Sequence, residues 1–172
     1  KSNIGKKVIV IGGGDVAMDC ASTAKLLGAE VAIWYRRTIG EAPANMAEIQ
    51  YVTELGVPMT NNFAPKEIVG NAKGEVEYMV FSGREGHLDG AEAKVTADTV
   101  VFAIGQAPED VAGIAPVKVN EKGGIVVENN CVTNIDGVFA CGDITNGGKT
   151  VVEAVAAGKV AAFEIASYLE AK

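Results

Sequence analysis

The sequence is poor in the side chains that most often carry enzyme chemistry by themselves. Its 172 residues include one histidine and three cysteines, and Cys20, Cys131 and Cys141 are too widely spaced to form a C-x-x-C motif. This spacing excludes a C-x-x-C redox dithiol and a clustered zinc or iron–sulfur site, so we expect the thiols to be small core residues. His87 follows a glycine and is expected in a surface turn. The sequence therefore predicts no catalytic residue and no metal site.

Long apolar segments and excess positive charge are also missing. No segment is long and apolar enough to cross a bilayer, and no signal-peptide core precedes the first predicted strand. The formal net charge is −7, which is unfavourable for binding to nucleic acid or to an anionic membrane. We therefore expect a cytoplasmic protein with neither of these partners. Its length suits one large domain or two small ones.

Glycine, by contrast, is abundant, and three consecutive glycines follow the β-branched residues 8–11. Small and apolar residues then recur at helical spacing, which predicts a strand, a tight turn and a helix. Gly12 would let the chain leave the strand sharply, Gly14 would let the backbone approach a pyrophosphate, and Ala17 would replace the third glycine of a dinucleotide-binding turn. The phosphates would bind at the helix N-terminus. The candidate contacts are Gly12, Gly13, Gly14, Asp15, Val16 and Ala17. The alternative is a glycine-rich turn that binds no ligand.

A second predicted strand, residues 30–35, ends in Arg36 and Arg37. In a dinucleotide-binding fold, the residue about twenty positions beyond the glycine turn meets the adenosine ribose, where an acid favours NAD and arginine favours the 2′-phosphate of NADP. Two arginines and no acid occupy this position, and guanidinium groups bind phosphate through two donors. The pair therefore predicts NADP(H), with one arginine on the phosphate. The alternative is a solvated pair at a strand end.

The middle of the chain alternates between a helical and a strand pattern. Residues 44–55 predict a helix with Pro43 in its first turn, and a strand starts at residues 57–59. Residues 64–70, 75–81 and 91–95 predict an inserted antiparallel meander.

The apolar residues 97–108 predict a parallel strand that is buried on both faces. The strand would stop at a glycine, and the carboxyl end of such a strand is where a nicotinamide could bind. The candidate contacts are Ala103, Ile104, Gly105 and Gln106. A plain exit from strand to loop is the alternative.

The composition changes around residues 108–115, where Pro, Gly and Ala predominate, and we place a domain boundary there, between 1–112 and 113–172. Residues 117–119 and 125–127 could pair as short strands. Residues 133–143 predict a turn and a short strand that ends in Gly142 and Asp143, whose carboxylate could accept hydrogen bonds from ligand hydroxyls. A long helix follows, with Thr150 as its N-cap and Val151 in its first turn.

Together, these motifs resemble the flavoprotein disulfide reductase superfamily with two dinucleotide folds, and within it the glutamate synthase small-subunit and dihydropyrimidine dehydrogenase flavin-region family. The resemblance rests on residues 12–19, 35–37, 103–106 and 134–143. It implies an α/β fold, with a three-layer, Rossmann-like NADPH-binding domain that carries the meander, followed by the C-terminal part of an FAD-binding domain. Gly142, Asp143, Thr150 and Val151 would belong to a partial FAD site.

The same resemblance implies that electrons pass from NADPH through FAD to a downstream acceptor subunit or domain. The earlier glycine turn that binds the FAD pyrophosphate in this family has no counterpart before residue 7, so we expect a fragment. Two alternatives stay open: an NADP(H)-binding module without turnover, and a thioredoxin-reductase-like flavoprotein, which fits less well because its paired cysteines are missing. Uncovered apolar surface in the FAD part could join two copies.

Overall fold

The computed structural model describes residues 4–110, 113 and 115–172, which form two compact units, Lys1–Gly105 and Gln106–Lys172. The division falls after Gly105, close to the change in composition. The boundary predicted between residues 112 and 113 involves a residue outside the described ones.

The first unit is built on a four-stranded parallel sheet in the order β3-β2-β1-β7. Its strands are β1 (Lys7–Ile11), β2 (Glu30–Tyr35), β3 (Met59–Asn61) and β7 (Thr99–Phe102). In the central strand, Val8 lies opposite Val31 on one side and Thr99 on the other. Because side chains alternate along a strand, the four consecutive apolar residues 8–11 of β1 supply both faces of the sheet.

Two helices cover one of these faces. They are α1 (Asp15–Leu26) and α2 (Met46–Glu54). Val8 and Val10 of β1 pack there with Met18 of α1 and Ile49 of α2, all of them buried. The apolar positions of both helices recur every three or four residues, which places them on the side that meets the sheet.

The antiparallel meander covers the opposite face. Its strands are β4 (Phe63–Gly70), β5 (Val76–Gly83) and β6 (Glu92–Thr96), with β5 in the centre. Ile9 and Ile11 of β1 meet Met79 and Phe81 of β5, and Trp34 stacks on Phe81 with ring centroids 4.1 Å apart. The predicted three-layer α/β architecture with an inserted meander is confirmed.

Two details of the first unit differ from the prediction. Helix α2 begins at Met46 with Asn45 as its N-cap, because the Asn45 side chain accepts a hydrogen bond from the Ala47 N–H, so Pro43 lies outside the helix. Strand β7 has only four residues, and it is half-buried rather than buried on both faces, with Phe102 51% exposed. Its position at the edge of the sheet leaves one side without a neighbouring strand in this unit.

Two α-helices lie among the described residues of the second unit, α3 (Asp143–Asn146) and α4 (Val151–Glu170). The strands predicted there form only isolated antiparallel bridges, Val119 with Ile125 and Val132 with Phe139. Gly137 and Gly142 both have positive φ angles of 75–76°, so the backbone turns on either side of residues 138–141. None of the described helices is long and apolar enough to cross a membrane.

Candidate dinucleotide-binding site

The first glycine of the turn joins the ends of two strands. Gly12 has a φ of 151°, and its N–H donates a hydrogen bond to the Trp34 carbonyl at 3.1 Å. A Cβ atom at this position would lie 2.2 Å from the Ala103 carbonyl oxygen. Only glycine lets the end of β1 approach the end of β7 this closely.

The second and third glycines have different surroundings. A Cβ at Gly13 would lie 2.5 Å from the ring of Tyr35, whereas the nearest atom to a Cβ at Gly14 would be Pro43 Cγ at 3.8 Å. The Gly13 carbonyl also accepts a hydrogen bond from the Ala44 N–H at 3.0 Å. Gly13 is therefore required by the protein's own packing, and the space beside Gly14 is open to a ligand.

Helix α1 begins with unused hydrogen-bond donors. Among the described residues, no protein group accepts a hydrogen bond from the backbone N–H groups of Gly13, Gly14, Asp15 or Val16. Ala17 is fully buried and donates to the Gly14 carbonyl at 2.9 Å, so the donors end at the first full turn. Free N–H groups and the positive end of the helix dipole make this turn suitable for a pyrophosphate.

The Asp15 side chain has a structural role at this turn. Its Oδ1 atom accepts a hydrogen bond from the Asn45 N–H at 2.7 Å, which fixes the start of α2 beside the glycine turn. The Asp15 backbone N–H is one of the unused donors named above. Val16, the next residue of α1, is 64% exposed.

Arg36 and Arg37 follow β2 at its carboxyl end, the same edge of the sheet as the glycine turn. Both residues are exposed, and none of the ion pairs or hydrogen bonds seen among the described residues involves either guanidinium group. Tyr35 packs against Gly13, so the arginines follow directly on a residue that touches the turn. The two cations are thus free to bind an anion close to the candidate pyrophosphate site.

An ion pair that sequence reasoning missed lies beside these arginines. Glu41, at the end of a short 3-10 helix (Ile39–Glu41), pairs with Arg84 at 2.7 Å and also accepts hydrogen bonds from the N–H and hydroxyl of Thr38. The hydrogen bond from Arg84, followed by those from Thr38, lowers the pKa of the Glu41 carboxyl from its ordinary 4.5 to about 2. The T-x-x-E pattern of residues 38–41 is a capping-box signal and could have identified Glu41. No local pattern points to Arg84.

The end of β7 forms the remaining part of this site in the first unit. The Ala103 N–H donates to the Ile11 carbonyl at 2.8 Å, and Ile104 is 70% exposed. Gly105 has a φ of 90°, and an added Cβ would meet no atom within 4 Å. Ile104 therefore presents an exposed apolar side chain next to backbone with open space around it. Gln106, the fourth predicted contact, is exposed and begins the second unit.

The residues predicted for an FAD site lie in the second unit and are only partly as expected. Asp143 is not at the tip of a strand, because Gly142, with a φ of 76°, directs the chain into the short helix α3. Thr150 is the N-cap of α4, as predicted, and its hydroxyl is engaged with Glu153, whose pKa is lowered by the Thr150 backbone and side-chain hydrogen bonds. Val151 is 80% exposed.

The chain is similar in sequence to oxidoreductase subunits along almost its whole length. It is 36% identical to the "Glutamate synthase [NADPH] small chain" of Azospirillum brasilense and 38% identical to the "NAD-dependent dihydropyrimidine dehydrogenase subunit PreT" of Escherichia coli O157:H7. Each match covers 98% of this chain and 38% of the relative, so the chain spans less than half the length of either. The predicted resemblance to these two groups is confirmed.

A solved structure shows the same fold. The crystal structure of T. acidophilum thioredoxin reductase matches with a TM-score of 0.85 and 28% identity, over 98% of this chain and 53% of that one. The family profile described as "Pyridine nucleotide-disulphide oxidoreductase" matches residues 1–158. Its members are FAD- and NAD(P)-binding oxidoreductases. The chain therefore belongs to the pyridine nucleotide-disulphide oxidoreductase family.

Proposed function

We propose that the first unit is an NADP(H)-binding domain. The observation that carries this proposal is the pairing of unused N–H donors at residues 13–16 with two unengaged guanidinium groups, those of Arg36 and Arg37, at one edge of the sheet. The donors suit the pyrophosphate, and the guanidinium groups suit a 2′-phosphate. Ile104 and Gly105 would contact a ring of the cofactor. Gln106 follows them in the chain and is a further candidate contact.

The choice of NADP(H) over NAD(H) rests on the arginines. One relative named above carries NADPH in its name and the other NAD, so similarity alone does not decide between the two nucleotides. An acid at the end of β2 would bind the free ribose hydroxyl of NAD(H), but this chain has arginine at both positions. A 2′-phosphate is the natural partner of this pair.

We further propose that the whole protein is an NADPH-dependent flavin oxidoreductase that passes electrons through FAD to a downstream acceptor subunit or domain. Both relatives are named as a chain or subunit of a larger enzyme, which supports a partner of this kind. The cofactors would supply the redox chemistry, and the residues of this chain would bind and orient them. Residues 113–172 would then be the C-terminal part of an FAD-binding domain, with Gly142, Asp143, Thr150 and Val151 at the flavin. A cytoplasmic location is part of this proposal.

The second candidate is an NADP(H)-binding module without turnover, for the 172-residue chain taken alone. This candidate is favoured because, in the part of the chain that the structure describes, only the glycine turn at residues 12–14 opens a helix with free donors beside a parallel strand. One helix N-terminus of this kind holds one pyrophosphate. The exposed apolar side chains of α4, which include Val152 at 78% and Phe163 at 76%, would be covered by the rest of the protein or by a second copy.

Calorimetric titration of the purified chain with NADPH and with NADH tests the cofactor assignment. We expect both nucleotides to bind and NADPH to bind more tightly, by about tenfold or more if one charge-assisted contact distinguishes them. Equal affinity for the two nucleotides would contradict the NADP(H) assignment. Turnover of NADPH with an artificial acceptor, measured with and without added FAD, separates the oxidoreductase from the binding module.

A further inference from the structure

Arg84 is tied to the segment that follows β2 by a two-point ion pair. This residue directly follows β5, and its Nη1 and Nη2 atoms donate to Glu41 Oε2 at 2.7 Å and Glu41 Oε1 at 3.3 Å. Both carboxylate oxygens and both terminal nitrogens take part. A planar pair of this kind fixes orientation as well as distance.

The carboxylate extends this tie to the residue after the arginines. Glu41 Oε2 also accepts hydrogen bonds from the Thr38 N–H at 3.0 Å and from the Thr38 hydroxyl at 2.8 Å. The Glu41 carbonyl accepts a hydrogen bond from the Tyr35 hydroxyl at 2.9 Å. Glu41 is therefore hydrogen-bonded to the residues on both sides of Arg36 and Arg37, which are Tyr35 and Thr38.

A backbone connection runs in parallel from the same anchor. The Arg84 N–H donates to the Asn62 carbonyl at 2.7 Å, and the Asn62 N–H donates to the Arg37 carbonyl at 3.1 Å. Asn62 has a left-handed φ of 62°, a backbone conformation that few residues other than glycine adopt. Arg84 thus reaches the Arg36–Arg37 turn through its side chain and through its backbone.

We infer that Glu41 and Arg84 are positioning residues that hold Arg36 and Arg37 in the geometry that selects a 2′-phosphorylated nucleotide. The inference rests on the proposed function, and it assigns neither residue a contact with the cofactor. These contacts order the backbone that carries the two arginines, and ordering a loop before binding reduces the conformational entropy that is lost on binding. Arg84 also neutralises Glu41, a carboxylate that would otherwise oppose a phosphate bound nearby.

The decisive variant is E41Q/R84M, because it removes the ion pair without changing the net charge of the chain. Prior ordering of the loop that carries the arginines is worth about three- to tenfold in affinity, so the NADPH affinity of this variant should fall by about that factor while its NADH affinity stays unchanged. A purely electrostatic influence of the pair predicts unchanged NADPH affinity. Circular dichroism and the NADH affinity show whether the variant keeps its fold.

The conservative variant R84K provides a second test, because it keeps the positive charge and loses the two-point geometry. If E41Q/R84M does not fold, a reduced NADPH preference of R84K with normal NADH affinity supports the inference, and an undiminished preference overturns it. The R36A/R37A variant separates this inference from the proposed function. If R36A/R37A loses the preference and folded E41Q/R84M keeps it, only the positioning role is wrong. If R36A/R37A keeps the preference, the proposed 2′-phosphate site and the positioning role are both wrong.

Discussion

At the scale of single residues, Gly13 and Gly14 have different surroundings, although they are neighbours in the same turn. Gly13 packs under the Tyr35 ring, whereas Gly14 faces open space and has ordinary extended φ and ψ angles of −96° and 175°. A methyl group at the two positions should therefore have different effects on folding and on binding.

Substitution of Gly14 by alanine should leave stability within about 0.5 kcal/mol of the wild type. It should weaken NADPH and NADH alike, by about tenfold or more, because the backbone donors can no longer approach the pyrophosphate. Thermal denaturation and calorimetry check the two effects. Gly13→Ala is the matched control, and it should lower the melting temperature clearly because the new Cβ meets Tyr35. A Gly14→Ala variant with normal affinity for both nucleotides would refute the site.

Arg36 and Arg37 should contribute to the binding of NADPH and not to the binding of NADH. R36A/R37A should lose most of the preference for NADPH, since one or two charge-assisted contacts are worth about 1.5–3 kcal/mol each, and NADH affinity should stay nearly unchanged. Competitive titration with both nucleotides measures the preference. The control K73A/K122A removes two exposed lysines that lie outside the candidate site and should retain the wild-type preference. An effect of the same size in the control would point to net charge instead of a specific contact.

At the scale of elements, the pair Glu41–Arg84 joins the meander to the loop after β2, and it should give the protein a pH-dependent component of stability. The folded-state pKa of Glu41 is about 2, below its ordinary 4.5. The stabilisation is therefore present above pH 4.5 and is lost as the pH falls towards 2. E41Q lacks this component.

Urea denaturation of the wild type and of E41Q, from about pH 7 down to about pH 3, measures the stabilisation that the Glu41 carboxylate contributes. The wild type should be more stable at neutral pH, and the difference should shrink as the pH falls below 4.5. A difference that stays constant across this range would mean that the carboxylate charge does not contribute.

Local sequence pattern predicts the elements whose partners lie nearby in the chain. The glycine turn, strands β1 and β2 and the meander follow from β-branched segments, turn residues and alternation, and the structure confirms them. The short strands predicted in the second unit do not form a ladder, because strand formation depends on partners that a local pattern does not specify. The same limit applies to the candidate site. The capping box at residues 38–41 is visible in the sequence, whereas Arg84 lies 43 residues beyond Glu41.

At the scale of the whole molecule, the chain spans less than half of the two relatives compared above, and the 172 residues should not retain FAD by themselves. Under the proposed function, Asp143 and the start of α4 would supply only part of a flavin site. Because the described residues contain no second glycine turn of the kind seen at residues 12–14, FAD should lack several charge-assisted hydrogen bonds of about 1.5–3 kcal/mol each. Gel filtration of the chain after incubation with FAD should give a protein peak without flavin absorbance at a one-to-one ratio. A stoichiometric flavin spectrum would overturn this prediction.

The central claim is that residues 13–16 bind the pyrophosphate of NADP(H) while Arg36 and Arg37 bind its 2′-phosphate, and NMR titration of the ¹⁵N-labelled chain tests it most directly. NADPH should shift the amide signals of residues 13–16 and of both arginines, because the nucleotide contacts both sites at once. NADH should reproduce the shifts at residues 13–16 and leave the two arginine side-chain signals nearly unmoved. Two results would contradict this binding mode: NADPH moves signals elsewhere and leaves those of residues 13–16 unchanged, or NADH moves the arginine signals as far as NADPH does.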